Sequence, residues 1–310
     1  MPQFTKDRLN VKNAGRRKFI TDAAAITGAT LLMQSPLHVF STGKAGNNAP
    51  VTVGNIIDRF ISEVPGGPLD KTVDTLKSGS LDMVVTGVVT TMFATLQVIR
   101  QSIAMGSNFI IAHEPTFYNH ADETNWLEKD EVYRYKAALL QEHRIAVWRN
   151  HDYIHRHVPD GVMTGVLAQL GWSKQYDAAN HIVTIPPASL QEIITHTKQR
   201  LGINSLRYMG DLKQSCKKVL LMPGASGGRS QIQALINQQP DTLICGEIQE
   251  WETAEYIRDA QAQGKQRSLV VLGHIASEEP GSVYMADWIK EKIPGMPVKH
   301  IPSKNSLSFA

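Results

Sequence analysis

The stretch Phe109-Ile110-Ile111-Ala112-His113-Glu114-Pro115 determines how the rest of the chain is interpreted. Four apolar residues end abruptly in a histidine, a glutamate and a proline, which is the pattern of a buried strand leaving a sheet at its C-terminal end. Open α/β sheets bind their ligands at that edge. Because imidazole and carboxylate groups both bind divalent metals, His113 and Glu114 are candidate metal ligands.

The surrounding sequence alternates between strand and helix patterns, which is typical of α/β proteins with parallel strands. In the first half, which we place at residues 50–175, strands are predicted over 81–89, 109–112 and 145–148. Residues 176–310 show a similar order of elements without a sequence repeat. We therefore predict an α/β fold of two similar halves, with mixed or parallel sheets and helices outside them.

Positive charge is concentrated at the N-terminus. The whole chain has a net charge of +3, but residues 1–49 hold seven Lys and Arg against two Asp, which is +5 and leaves about −2 for residues 50–310. A slightly acidic body lacks the basic surface that nucleic-acid binding requires. We therefore expect a small-molecule substrate, of unknown identity, and no nucleic-acid partner.

Residues 1–49 have the pattern of an export signal and linker. The segment Gly15-Arg16-Arg17-Lys18-Phe19-Ile20 opens a modestly apolar stretch that ends near Met33, as a charged n-region precedes an h-region. The paired arginines resemble a twin-arginine signal, and the stretch is too short and polar for a permanent membrane span, which takes about 20 apolar residues. We expect a periplasmic or other extracytoplasmic protein; an amphipathic N-terminal helix is the alternative.

The two cysteines, Cys216 and Cys245, exclude a disulfide framework and a thiolate zinc site. Both lie beside apolar runs and are predicted to be core residues, with a single disulfide between them left open. The glycine-rich segment 223–228 follows a predicted strand and precedes a helix. Such a turn can bind an anion on backbone N–H groups, or it can be a tight turn without a ligand.

Three predicted strands end in histidine and carboxylate residues. Besides 113–114, these are the segment 151–155, with His151, Asp152 and His155, and the segment 274–278, with His274 and Glu278. Histidines and carboxylates without thiolates favour Zn, Mn, Fe or Ni. Carboxylates can also bridge two ions, and dinuclear centres catalyse hydrolysis.

These residues also carry a family resemblance. The segments 109–118, 147–151 and 223–228, together with Gly273-His274-Ile275-Ala276-Ser277-Glu278 and the downstream Pro280-Gly281, resemble the NIF-three family of dinuclear metal centre hexameric proteins, often labelled GTP cyclohydrolase I type 2 homologues. The resemblance implies two similar α/β halves with the metal site between them, a homohexamer and two divalent metal ions.

The ligands differ from the pattern of that family. The family has two adjacent histidines before the proline, where this chain has His113 and Glu114, and it has His-Thr-Asn-Leu-Asp where this chain has residues 151–155. An ungapped match places His155 at the aspartate position, so one histidine and one carboxylate have exchanged places. The implied ligands are His113, Glu114, His155, His274 and Glu278, with His151 and Asp152 as alternates.

Glu247 stands where the family has an acid near the site. One hypothesis is that it acts as a general base or orients a metal ligand, and the other is that it is only an acidic residue that stabilises a helix N-terminus. The leading functional prediction is an exported dinuclear metal-dependent hydrolase. GTP cyclohydrolase activity is implied only by the family resemblance. A hexameric metal-binding scaffold without turnover is the alternative, and an interaction protein that has lost its metal is the third.

Overall fold

The computed structural model describes residues 50–308, which form nine α-helices and eleven strands. The predicted signal segment at 1–49 lies outside the described residues. The strands are β1 Leu76–Ser78, β2 Val88–Thr91, β3 Phe109–Ala112, β4 Ala146–Arg149, β5 Tyr176–Asp177, β6 Ile182–Ser189, β7 Arg207–Met209, β8 Ser215–Met222, β9 Thr242–Cys245, β10 Ser268–Val271 and β11 Val298–His300. The helices are α1 Val53–Ile61, α2 Leu96–Ala104, α3 Glu131–Glu142, α4 Asp152–Arg156, α5 Gly161–Leu170, α6 Leu190–Leu201, α7 Gly228–Gln238, α8 Glu255–Ala262 and α9 His274–Lys292.

The strands form two mixed sheets. The first sheet has the order β1-β4-β3-β2-β11, with β1 antiparallel to β4 and the other pairs parallel. The second has the order β5-β6-β8-β9-β10-β7, with only the β8–β9 and β9–β10 pairs parallel. Two mixed sheets with helices confirm the predicted α/β class. Strand β11 pairs with β2, so it joins the first sheet although its residues fall within 176–310.

Alternating side chains of the central strands form separate cores. In β3, Phe109 and Ile111 pack into a core that also contains Val219 and Leu221 of β8 in the second sheet. Ile110 and Ala112 face the opposite side, where α2 and α3 pack. This period of two is expected for a strand covered on both faces. The core between the two sheets therefore fixes the first sheet against the second.

One strand begins later than predicted. Residues 81–89 were expected to form a strand, but β2 begins at Val88, and Leu81 and Val84 are exposed. This segment instead accepts hydrogen bonds from the first turn of α1. Gly54 N donates to Leu81 O over 2.8 Å, and Val53 N donates to Met83 O over 2.9 Å. Carbonyls of 81–83 thus satisfy N–H groups that have no partner within the first turn of a helix.

The two cysteines are free and buried, as expected for core residues, and no disulfide joins them. Within residues 50–308, no helix has the length and apolar character needed to cross a membrane.

Candidate metal centre

The three strand ends predicted from the sequence meet in space. Because β3 and β4 are adjacent and parallel, residues 113–114 and 151–155 leave the first sheet at one edge. Helix α9, which follows β10 of the second sheet, begins at His274 and faces that edge. Across the junction, His274 Nε2 lies 3.1 Å from Glu114 Oε1, and His113 Nε2 lies 3.4 Å from Glu278 Oε2.

Three histidines of the first half form a cluster. The ring centroids of His113 and His151 are 4.9 Å apart, and those of His155 lie 5.1 Å from each of them. One nitrogen of each ring can be chosen so that all three lie within 4.8 Å of one another. The short helix α4 contains His155 and begins directly after His151, and buried Asp74 fixes its start by accepting from His151 N and Tyr153 N, each over 2.8 Å.

Every histidine of the centre has its Nδ1 atom engaged away from the centre. The partners are Asn150 O at 3.2 Å from His113, Asp152 Oδ1 at 3.0 Å from His151, Asp160 Oδ2 at 3.0 Å from His155, and Glu247 Oε1 at 2.9 Å from His274. A backbone carbonyl only accepts, so His113 donates from Nδ1, and ionised carboxylates require the same of the other rings. The four Nε2 atoms are therefore the ring nitrogens directed toward the centre, and Nδ1–H groups held in this way are the usual preparation of metal-binding histidines.

Two buried glutamates complete the centre. Glu278 accepts from His274 Nε2 over 3.0 Å, and its other oxygen lies 3.9 Å from His155 Nε2. Burial would raise the pKa of Glu278, but the adjacent His113 and the hydrogen bond with His274 hold it well below its usual range. Burial would lower the pKa of His274, but the hydrogen bonds with Glu114 and Glu278 raise it to about 11. The His274 imidazolium therefore offsets part of the negative charge of the two carboxylates.

Burial has the opposite consequence for His151. Desolvation and the neighbouring His113 lower the pKa of His151 to about 4, so this ring is neutral at physiological pH. Burial also lowers the pKa of His155, but its hydrogen bond with Asp160 more than offsets that effect. The cluster thus contains a neutral imidazole that is ready to bind a cation.

Arg149 was not identified from the sequence, although it contacts Glu114 directly. Its side chain is completely buried, and Nη2 lies 3.3 Å from Glu114 Oε2. It also donates to the backbone oxygens of His113 and His120 and lies 3.6 Å from Asp122 Oδ2. The available signal was its position as the last residue of an apolar strand, since a charged side chain there is buried and needs partners.

The two alternates and Glu247 occupy different places. His151 lies in the histidine cluster, whereas Asp152 faces away from it: Oδ2 accepts from Thr72 Oγ1 over 2.8 Å and Oδ1 contacts His151 Nδ1. Asp152 therefore orients His151. Glu247 follows β9, contacts His274 Nδ1, and keeps 53% of its side chain exposed.

The glycine-rich turn after β8 makes room for the centre. Gly224 has φ of +67°, and a Cβ there would lie 2.1 Å from Glu278 Oε1. Its N–H donates to Ser277 Oγ over 2.9 Å. At Gly224 the turn therefore faces a carboxylate of the centre, and its N–H already has a partner.

The residues fit a divalent metal. His113 Nε2 is buried without a hydrogen-bond partner, although it points at the middle of the centre. The ligand atoms of His113, Glu114 and Glu278 form a second set within 4.8 Å. Imidazole and carboxylate donors of this kind suit Zn, Fe, Mn and Ni. The buried His and Glu side chains could thus hold metal, in two overlapping groups.

A family model and a curated relative match this chain. The model of the family Duf34/NIF3 (NGG1p interacting factor 3) matches residues 73–307. A Clostridium perfringens protein named GTP cyclohydrolase 1 type 2 homolog is 22% identical over 229 residues, covering 70% of this chain and 83% of the relative.

Two solved structures share the fold. A Bacillus cereus protein related to NIF3 has a TM-score of 0.67 at 15% identity, covering 85% of this chain and 99% of its own. Staphylococcus aureus protein SA1388 has a TM-score of 0.66 at 18% identity, covering 84% and 99%. At these identities the likeness concerns the fold alone.

Proposed function

The chain belongs to the Duf34/NIF3 family, and on this premise we propose that it is an exported metal-dependent hydrolase whose centre holds two divalent ions. The observation that carries the proposal is the set of four histidines whose Nδ1 atoms are all engaged outside the centre. Imidazoles held in this way lose little freedom when they bind a cation.

In the proposal, each of the two groups of donors would bind one ion. His113, His151 and His155 would hold one ion, and Glu114 and Glu278 would hold the other. His113 belongs to both groups. His274 Nε2 lies 3.1 Å from Glu114 Oε1 and 3.0 Å from Glu278 Oε2. Divalent ions supply Lewis acidity and lower the pKa of water. Arg149 holds Glu114 in place, Asp160 orients His155, and the half-exposed Glu247 is the carboxylate positioned to accept a proton at the edge of the centre.

The name of the clostridial relative supports a hydrolytic class of reaction and no particular substrate. GTP is a cytoplasmic nucleotide, and an exported protein does not encounter that pool. We therefore limit the proposed activity to hydrolysis of a small molecule.

Metal analysis of the purified protein tests the centre. We expect near-stoichiometric divalent metal in the unaltered chain and almost none in a His113→Ala/His274→Ala variant. A His143→Asn/His181→Asn variant removes two exposed histidines outside the centre and should keep its metal. Equal and negligible metal in all three proteins would overturn the proposal.

Turnover is tested separately with a panel of phosphoesters, cyclic amides and purines. Glu247→Gln keeps a hydrogen-bond acceptor for His274 but removes the carboxylate, so metal should stay bound while hydrolysis is lost. Metal binding without any hydrolysis in the unaltered protein would instead favour the scaffold function.

Export by the twin-arginine route and assembly as a homohexamer are parts of the same proposal. The paired Arg16 and Arg17 before Phe19 support export. An Arg16→Lys/Arg17→Lys variant should accumulate in the cytoplasm, whereas Lys6→Arg/Lys12→Arg should not change localisation. Light scattering after gel filtration measures the assembly, and a monomer would contradict the hexamer.

A further inference from the structure

A large cavity lies beside the candidate metal centre. Its volume is about 880 Å³, and its wall includes Pro115, His120 and Ile275. Pro115 follows Glu114 and Ile275 follows His274, so the wall is continuous in sequence with two residues of the centre. The His120 ring lies 5.9 Å from the His151 ring, which extends the connection to the histidine cluster.

Positive charge dominates this cavity. Arg100, Lys136 and Lys304 line it, and none of the described lining residues is an aspartate or glutamate. Across residues 50–308, no carboxylate lies within 4 Å of the charged nitrogens of these three side chains. Cations that converge on one cavity without acidic partners make its potential favourable for an anion.

Lys136 is the most constrained of the three cations. Its residue is only 5% exposed, and Nζ donates to Thr116 O over 2.6 Å. Desolvation lowers its pKa to about 8, although the field of Asp122 acts in the opposite direction. Asp122 itself is engaged by Lys77 at 3.2 Å and by Arg149 at 3.6 Å. A buried ammonium without its own carboxylate is costly, and an anion in the cavity would reduce that cost.

Part of the wall is suited to a flat apolar body. Phe93, Leu96 and Tyr118 line the cavity together with Ile275. Lys136 Nζ lies 5.3 Å from the centroid of the Tyr118 ring, so charge and aromatic surface are adjacent. Pockets of small-molecule sites combine such apolar walls with a few convergent polar groups.

We propose that this cavity binds the substrate of the adjacent centre, a small aromatic anion whose phosphate or carboxylate contacts Arg100, Lys136 and Lys304. This inference rests on the proposed hydrolytic function, and it adds the chemical class of the substrate. The apolar body packs against Phe93, Leu96 and Tyr118. His120 stands between the ligand and the histidine cluster.

Isothermal titration calorimetry on the full chain tests the cavity without relying on turnover. The probes are phenyl phosphate, benzoate and the neutral benzyl alcohol. We expect at least one anion to bind tenfold or more tightly than benzyl alcohol. An Arg100→Ala/Lys304→Ala variant should weaken that binding at least tenfold and leave the affinity for benzyl alcohol unchanged.

A Lys213→Ala/Lys265→Ala variant removes two exposed cations elsewhere on the surface and should bind like the unaltered protein. Anion binding should also persist in His113→Ala/His274→Ala, so failure of the metal centre is distinguishable from failure of the cavity. Equal affinity for charged and neutral probes, no binding of any probe, or loss of anion binding only in the histidine variant would each overturn the inference.

Discussion

The first sheet ends in donor side chains at the edge where β3 and β4 meet, whereas the strands of the second sheet end beside glycines. Gly224 follows β8, Gly246 follows β9, and Gly273 precedes α9. A Cβ at Gly246 would lie 2.4 Å from Ser277 Oγ, and one at Gly224 would collide with Glu278. The first half therefore supplies most of the candidate ligands, while the second supplies two candidate ligands on a helix and the space around them.

Removing the Arg149 guanidinium should cause the greatest loss of unfolding free energy. Arg149→Met removes the buried guanidinium that contacts Glu114 and Asp122, and breaking a buried pair costs about 3–5 kcal/mol of unfolding free energy. Urea denaturation measures the effect. In the second sheet, Arg207 pairs with Glu250 at 2.6 Å but is 59% exposed, so Arg207→Met should cost only about 0–1 kcal/mol.

If the two arginine variants were equally stable, the distinction between a buried edge and an open edge would be wrong. A double variant, Arg149→Met/Glu114→Gln, refines the test. Because it removes both charges of the pair, it should recover part of the stability lost in the single variant.

Gly224→Ala tests whether the centre needs the space that a side chain at this position would take from Glu278. The matched control is Gly202→Ala, since both glycines have φ of +67° but a Cβ at Gly202 would meet nothing within 4 Å. Left-handed backbone strain alone costs roughly 1–2 kcal/mol. We expect that loss in the control, and a larger loss together with strongly reduced metal content in Gly224→Ala, measured by denaturation and metal analysis. Similar behaviour of the two variants would argue against a spatial role for Gly224.

Asp160→Asn tests the orientation of a first-half ligand. Its carboxylate accepts from His155 Nδ1 over 3.0 Å, and loss of such partners typically weakens metal binding by about 10–100-fold. Competition with a chelator measures the affinity. Asp177→Asn, an exposed aspartate outside the centre, should leave the affinity unchanged.

The smallest change in metal affinity is expected at Glu247 in the second half. Because its side chain is half exposed and an amide oxygen can still accept from His274, Glu247→Gln should reduce metal affinity by less than about tenfold. The same chelator competition gives the value. If Glu247→Gln lowered the metal affinity more than Asp160→Asn, the expectation that the first half contributes more to metal binding than the second would be wrong.

Part of the centre was accessible from the sequence because strand ends are marked by abrupt changes in polarity. Apolar runs before His113 and His274 were enough to predict that these histidines stand at a sheet edge. The family resemblance supplied the order of the segments. It did not separate His151 from His155, and the structure places both in one cluster, with Asp152 behind them.

Other features depend on contacts between distant parts of the chain and left no local signal. Asp74 reaches helix α4 from a loop before β1, and it contacts His151 N across 77 residues of sequence. The position of β11 depends on which open edge accepts the C-terminal strand. Periodicity predicts a strand or helix, but it does not predict the partner.

The return of β11 to the first sheet has a consequence for the order of assembly. His300 Nδ1 contacts Thr90 O across 210 residues of sequence, so this sheet is complete only when β11 has been synthesised. Contacts of such sequence separation form slowly, since a long loop must close first. Helix α9 is made just before β11. The nascent chain thus carries the histidines of the first half before His274 and Glu278 have been synthesised.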